Sequence, residues 1–177
     1  RKDSLLAATR IMQDVVAAAH RHPPHGRGTV GMVQVFPNSR NVIPGRVKFS
    51  IDLRNSTDAL VDQMADEVKA FAAKVGQEHG VDVKIEMVSS YNAIAFHENC
   101  VDAVGRAARK LGYSNMPAVS GAGHDAVYMA KLAPSGMIFI PCKDGISHNE
   151  IEDAKPEHIT AGCNVLLHAM LERAKVV

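Results

Sequence analysis

Apolar residues recur at Leu5, Ala8, Ile11, Val15 and Ala19. Steps of three and four place them on one helical face, so the pattern predicts a helix over residues 4–20 with Ser4 as its N-cap. His20 to Gly28 contains Pro23, Pro24, Gly26 and Gly28 and reads as a loop. Thr29 to Phe36 reads as a strand, and Pro37 to Ser39 as a turn. Val47, Phe49, Ile51 and Leu53 then alternate with Lys48, Ser50 and Asp52, the signature of a half-buried strand, and Arg54 continues its polar face. Ser56 or Thr57 caps a second helix with the stripe Leu60, Met64, Val68, Phe71 and Val75, ended by Gly80. Val81, Val83, Ile85 and Met87 alternate with Asp82, Lys84 and Glu86 and predict one more strand.

The order to this point is α-β-β-α-β. One strand before Ser4 would complete β-α-β-β-α-β, a ferredoxin-like sandwich. The chain opens directly on Arg1-Lys2-Asp3 without an initiator Met, so a truncated start is expected. After Ser90 the texture changes. Glu98 to Leu111 predicts an amphipathic helix with Val101, Val104 and Ala108 inward. Ala118 to Asp125 is a glycine-punctuated loop, and Ala126 to Lys131 a short helix. Met137 to Ile140 reads as a strand buried on both faces, followed by a long loop from Pro141 to Asp153. Pro156 suits the first position of a final helix whose stripe is Ile159, Cys163, Leu166, Met170 and Leu171. The expected class is therefore mixed: an α+β domain over residues 1–93, incomplete at its start, and a segment of an α/β domain over residues 94–177.

Composition narrows the options. A hydrophobic fraction of 46% over 177 residues supports a packed core rather than disorder. Twenty basic against 19 acidic residues give no electrostatic case for nucleic acid or an anionic membrane. No apolar run approaches the roughly 20 residues of a membrane span. Cys100, Cys142 and Cys163 are odd in number and widely spaced, which predicts buried, inert thiols and a cytoplasmic setting.

Three constellations carry candidate chemistry. Gly145-Ile146-Ser147-His148-Asn149 lies in a loop after an apolar run, with Glu150, Glu152 and Asp153 beside the histidine. His148 is a candidate metal ligand or a turn-capping residue, and one His does not make a metal site. Ser120-Gly121-Ala122-Gly123-His124-Asp125-Ala126 pairs two glycines, whose backbone can approach a ligand, with a histidine able to hydrogen-bond a substrate oxygen. It equally suits a plain loop-to-helix turn. Asn41-Val42-Ile43-Pro44-Gly45 precedes Arg54, whose planar guanidinium suits a carboxylate, unless Arg54 simply pairs with Asp52 at the surface. His20, His22 and His25 share a Pro/Gly loop, while His79 and His168 read as structural. GxSxG and HExxH are absent, which leaves serine-hydrolase and zincin chemistry without support.

These motifs, in this order and over essentially the whole chain, resemble the carbamoylase family of N-carbamoyl-L-amino-acid hydrolases, allantoate amidohydrolases and beta-ureidopropionases. That family sits within the dinuclear zinc peptidases. The resemblance implies a catalytic α/β domain with two divalent metal ions, zinc or manganese, and an inserted ferredoxin-like lid that forms a homodimer. Residues 1–93 would be most of the lid and residues 94–177 the end of the catalytic domain. His148 would be the final metal ligand. Asn41 and Arg54 would hold the substrate carboxylate, and Gly123 and His124 would bind its reacting end. The remaining ligands and the glutamate base would lie upstream of Arg1, so no catalytic residue is expected on this chain. The implied reaction is metal-assisted hydrolysis of a ureido C–N bond in a small-molecule substrate. The competing expectation is a non-catalytic dimerisation or carboxylate-binding module.

Overall fold

The computed structural model describes residues 2–175. The chain is mixed helix and strand and divides into two compact units, Arg1–Ala93 and Ile94–Val177.

The first unit begins with helix α1, Ser4–Arg21. Its N-cap is Asp3, whose carboxylate accepts from Leu6 N at 3.1 Å. Ser4, the expected cap, is instead the first helical residue. Its hydroxyl donates to Gly45 O at 2.9 Å and its N–H to Pro44 O at 3.2 Å, tying the helix start to a distant loop. Strands β1 (Arg27–Thr29), β2 (Val33–Phe36), β3 (Arg46–Phe49) and β4 (Asp52–Arg54) follow. β1 pairs antiparallel with β4 and β2 with β3.

The predicted strand from Thr29 to Phe36 is thus interrupted, and the register explains why. Gly28 faces Leu53, whereas Val35 faces Val47. Between the two ladders Val30–Met32 oppose only Ser50 and Ile51, so the first arm carries one extra residue, a bulge. Ser50 stitches it: its N–H donates to Met32 O at 3.0 Å, and its Oγ accepts from Met32 N at 3.1 Å. The extra residue shifts the inward parity of the first arm from Gly28 and Val30 to Val35, while Val47, Phe49, Ile51 and Leu53 keep one parity throughout.

Helix α2, Asp58–His79, starts at Thr57, whose side chain accepts from Leu60 N, and ends at Gly80 with φ 63°. Only a residue without Cβ occupies that left-handed position at no cost. Met64, Val68, Ala72 and Val75 face inward and meet Ile11, Val15 and Ala18 of α1, with Phe49, Ile51 and Leu53 from the strands. β1 approaches α1 so closely that a Cβ on Gly28 would strike the Val15 carbonyl oxygen. A four-member polar group joins α1 to α2 on the other side. His22 Nε2 and Arg21 Nε both donate to Glu67, at 2.9 and 3.0 Å, and Arg21 also reaches Asp14 at 3.1 Å. His22 is therefore a mostly buried anchor rather than part of a loose histidine loop. Val81–Met87, predicted as a strand, joins no ladder among the described residues. Val81 and Val83 pack on the α1–α2 core, but Ile85 and Met87 are exposed.

The second unit contains α3 (Glu98–Lys110), α4 (Asp125–Ala130), a single 3-10 turn (Lys143–Gly145) and α5 (Pro156–Arg173), which begins on its proline. α3 and α5 pack through small side chains: Ala103, Ala107 and Ala108 against Val165 and Ala169. Arg106 and Glu172 close the pair at 2.6 Å. The inward faces differ from the predicted ones. Val101 of α3 is exposed, and so are Ile159, Cys163, Leu166 and Met170 of α5. α5 has one polar stripe, Glu157, Asn164, His168 and Glu172, and a broad apolar remainder, so spacing leaves several faces open; the close fit between small residues selects Val165 and Ala169. Cys163 is accordingly not the buried thiol expected, while Cys100 and Cys142 are half-buried. Met137–Ile140 forms no strand among the described residues, and Phe139 is exposed. No described helix is long and apolar enough to cross a membrane.

Candidate functional site

Asn41 sits in the loop between β2 and β3, which is closed by Gly45 N donating to Phe36 O at 3.1 Å. Asn38 adopts φ 58° in this loop, and Asn41 Oδ1 accepts from Ser39 Oγ at 3.1 Å. Arg54 ends β4. It lies on the same strand face as Asp52, and the two form a forked ion pair, Nε to Oδ1 at 2.7 Å and Nη2 to Oδ2 at 3.1 Å. The Asp52 carboxylate, chiefly through this hydrogen bond, holds the guanidinium above the ordinary arginine value. Both side chains are half exposed. Arg54 is therefore oriented by Asp52, and a ligand carboxylate would have to share the fork with it.

In the second unit, Gly123 and His124 end the glycine loop, and His124 is the N-cap of α4 without a side-chain cap bond. Its Nε2 lies 3.1 Å from Ser120 Oγ, and its ring meets Phe139 edgewise at 5.6 Å and 67°. The sequence motif includes Ser120 without giving it a part, and Phe139 lies outside every motif. The serine four residues before a histidine in a glycine loop is the signal that was available.

His148 follows the 3-10 turn with φ 58°, a backbone conformation in which a non-glycine side chain is strained. Two contacts hold it there: its N–H donates to Glu152 Oε2 at 2.9 Å, and its Nδ1 lies 2.9 Å from Ser147 Oγ. Glu152 thus positions the backbone of His148 rather than its ring. Where Nδ1–H donates to Ser147 Oγ, Nε2 is the ring nitrogen left to bind a cation; where the Ser147 hydroxyl donates to Nδ1, Nε2 carries the hydrogen instead. The donor set stops there. Among the described residues no three His, Cys, Asp or Glu side chains gather to hold a metal ion. One exposed imidazole does not meet the three or four ligands a zinc ion takes, so this chain alone does not fit a metal centre.

The profile of Peptidase family M20/M25/M40 matches residues 7–172. The chain belongs to that family. It is 45% identical to the N-carbamoyl-L-amino-acid amidohydrolase of Rhizobium meliloti, across 100% of this chain and 42% of that protein. To the allantoate amidohydrolase of Bacillus subtilis it is 30% identical, across 98% of this chain and 42% of that one. A crystal structure of an amidase of the hydantoinase/carbamoylase family from Burkholderia multivorans superposes with a TM-score of 0.95 at 51% identity, covering 98% of this chain and 42% of the other. The chain thus spans less than half the length of the proteins it matches.

Proposed function

We propose that this M20-family chain is the lid and closing catalytic segment of an amidohydrolase that adds water across the C–N bond of an N-carbamoyl amino acid or a related ureido acid. The products are the amino acid and carbamate, which decays to CO2 and ammonia. The observation that carries this reading is similarity along the whole chain to amidohydrolases of ureido substrates. The geometry adds chemical sense. Arg54, pre-aligned by Asp52, offers a planar fork for the substrate carboxylate, with Asn41 adding an amide from the same unit. Gly123 and His124 take the ureido end. His148 contributes one ligand to a two-metal centre of zinc or manganese completed elsewhere in the protein. A divalent metal would supply Lewis-acid polarisation there. Residues 1–93 also serve as the homodimer surface, and the enzyme works in the cytoplasm.

The test is an assay of the full-length protein against an N-carbamoyl-L-amino acid, allantoate and beta-ureidopropionate, with metal analysis. Turnover of one of the three is expected, and Arg54→Lys raises its KM about 10- to 100-fold by removing the bidentate charged contact. The 177-residue chain alone is expected to show none. A full-length protein that turns over none of them but binds carboxylates as a dimer would replace this reading with a binding module.

A further inference from the structure

Ser120 makes three contacts with a single hydroxyl hydrogen. Oγ lies 3.0 Å from Ala122 O, 3.2 Å from Ala122 N and 3.1 Å from His124 Nε2. A carbonyl oxygen only accepts, so all three contacts are hydrogen bonds only when the hydroxyl hydrogen goes to Ala122 O. Ala122 N–H occupies one lone pair of Oγ. The remaining lone pair faces His124 Nε2, and that contact is a hydrogen bond only if Nε2 carries the hydrogen. Neutral imidazole holds one N–H, so Nδ1 is then bare. Nδ1 has no hydrogen-bond partner among the described residues. The edgewise contact with Phe139 limits rotation of the ring.

We infer that Ser120 is a positioning residue that fixes His124 as its Nε2–H tautomer, so that Nδ1 presents a lone pair to the N–H groups of a ureido ligand. This rests on the ureido-acid reading for its ligand but not for its tautomer. A histidine so arranged accepts from the ureido nitrogen and does not donate to the carbonyl oxygen. That sharpens the broader expectation that His124 would bind a substrate oxygen. It also gives a ligand criterion: an analogue whose terminal ureido nitrogen is replaced by a methyl group loses the contact, while one that keeps the NH2 and alters the carbonyl oxygen does not.

The decisive experiment is long-range proton–nitrogen NMR on 15N-histidine-labelled full chain, with His124 assigned through His124→Gln. The wild type is expected to show His124 as the Nε2–H tautomer. Ser120→Ala is expected to give a mixture, and Ser120→Thr, which keeps the hydroxyl, to restore the single form. A wild-type Nδ1–H tautomer overturns the inference, and so does a Ser120→Ala spectrum unchanged at His124. Should Ser120→Ala fail to fold, the wild-type and Ser120→Thr spectra still decide. In the full-length enzyme Ser120→Ala is expected to lower kcat/KM about five- to tenfold, the loss typical of one hydrogen bond. In a His124→Ala background the same change is expected to have no further effect. An undiminished effect there assigns Ser120 to loop structure alone and overturns the positioning role. If no ureido acid is turned over, the functional reading fails while the spectra still test the tautomer.

Discussion

Replacing Glu67 with Gln tests whether the polar group between α1 and α2 stabilises the first unit. In the wild type one Glu67 oxygen accepts from His22 Nε2 at 2.9 Å and the other from Arg21 Nε at 3.0 Å. Glutamine has one acceptor oxygen and one NH2, so it can satisfy only one of these donors and presents hydrogens to the other. Arg21 is half exposed and retains Asp14, which makes that arm inexpensive to lose. The His22 side chain is only 9% exposed, so an unsatisfied Nε2 there finds little water. Loss of one charge-assisted bond with partial solvent compensation costs about 1–2 kcal/mol. For a chain of this length that lowers Tm by about 3–6 °C at neutral pH. The pH dependence supplies the sharper test. His22 first, and Arg21 second, hold the Glu67 carboxyl below its ordinary value. A depressed folded value means the stabilisation is complete above the unfolded value and is lost as pH falls through the folded one. The gap between wild type and Glu67→Gln, followed by thermal melts monitored by circular dichroism, is therefore widest near neutrality and closes below about pH 4. Equal melting of the two proteins at neutral pH, or a gap that persists unchanged in acid, would refute the reasoning.

Gly28→Ala is expected to destabilise the chain by about 1–3 kcal/mol, because the new methyl must push β1 off the Val15 carbonyl; a urea unfolding curve with an unchanged midpoint contradicts this. The isolated chain is expected to bind a hydrophobic dye and self-associate, because Val88 and Tyr91 are 93% and 85% exposed beside the unpaired Val81–Met87 segment and the apolar outer face of α5 is open. A dye-silent monomer by light scattering, or a sharp melt above about 60 °C, would refute it.

Where sequence reading succeeded, the determinant was local. Thr57 and Gly80 bound α2, and Pro156 opens α5, because caps and prolines act through their own backbone. It failed where a distant partner decided. Asp3 and Ser4 are both competent caps, and only the loop at Pro44 and Gly45, forty residues away, draws Ser4 aside. The bulge at Val30–Met32 is unreadable from one arm, since an extra residue is defined only against the strand opposite. Val81–Met87 has the alternation of a strand, but alternation specifies faces and not a neighbour. Each of β1 to β4 keeps an open edge, yet among the described residues none of them takes the segment up as a partner.

The candidate site divides along the same line. Asn41, Arg54, Gly123, His124 and His148 are readable in the sequence as residue types able to meet a carboxylate, an amide or a cation. The Asp52 partner of Arg54 was also readable as an alternative, two residues away on one strand face, whereas the serines beside His124 and His148 had no assigned part. Asp52 holds the Arg54 guanidinium, Ser120 Oγ lies against His124 Nε2, and Ser147 Oγ lies against His148 Nδ1. In all three the partner lies within four positions of the residue it contacts, on a strand face or in a turn. The orientation of these side chains therefore depends less on distant packing than the fold does. Ser120→Ala would then alter His124 with a smaller shift of the melting curve than Gly28→Ala, which would leave His124 untouched.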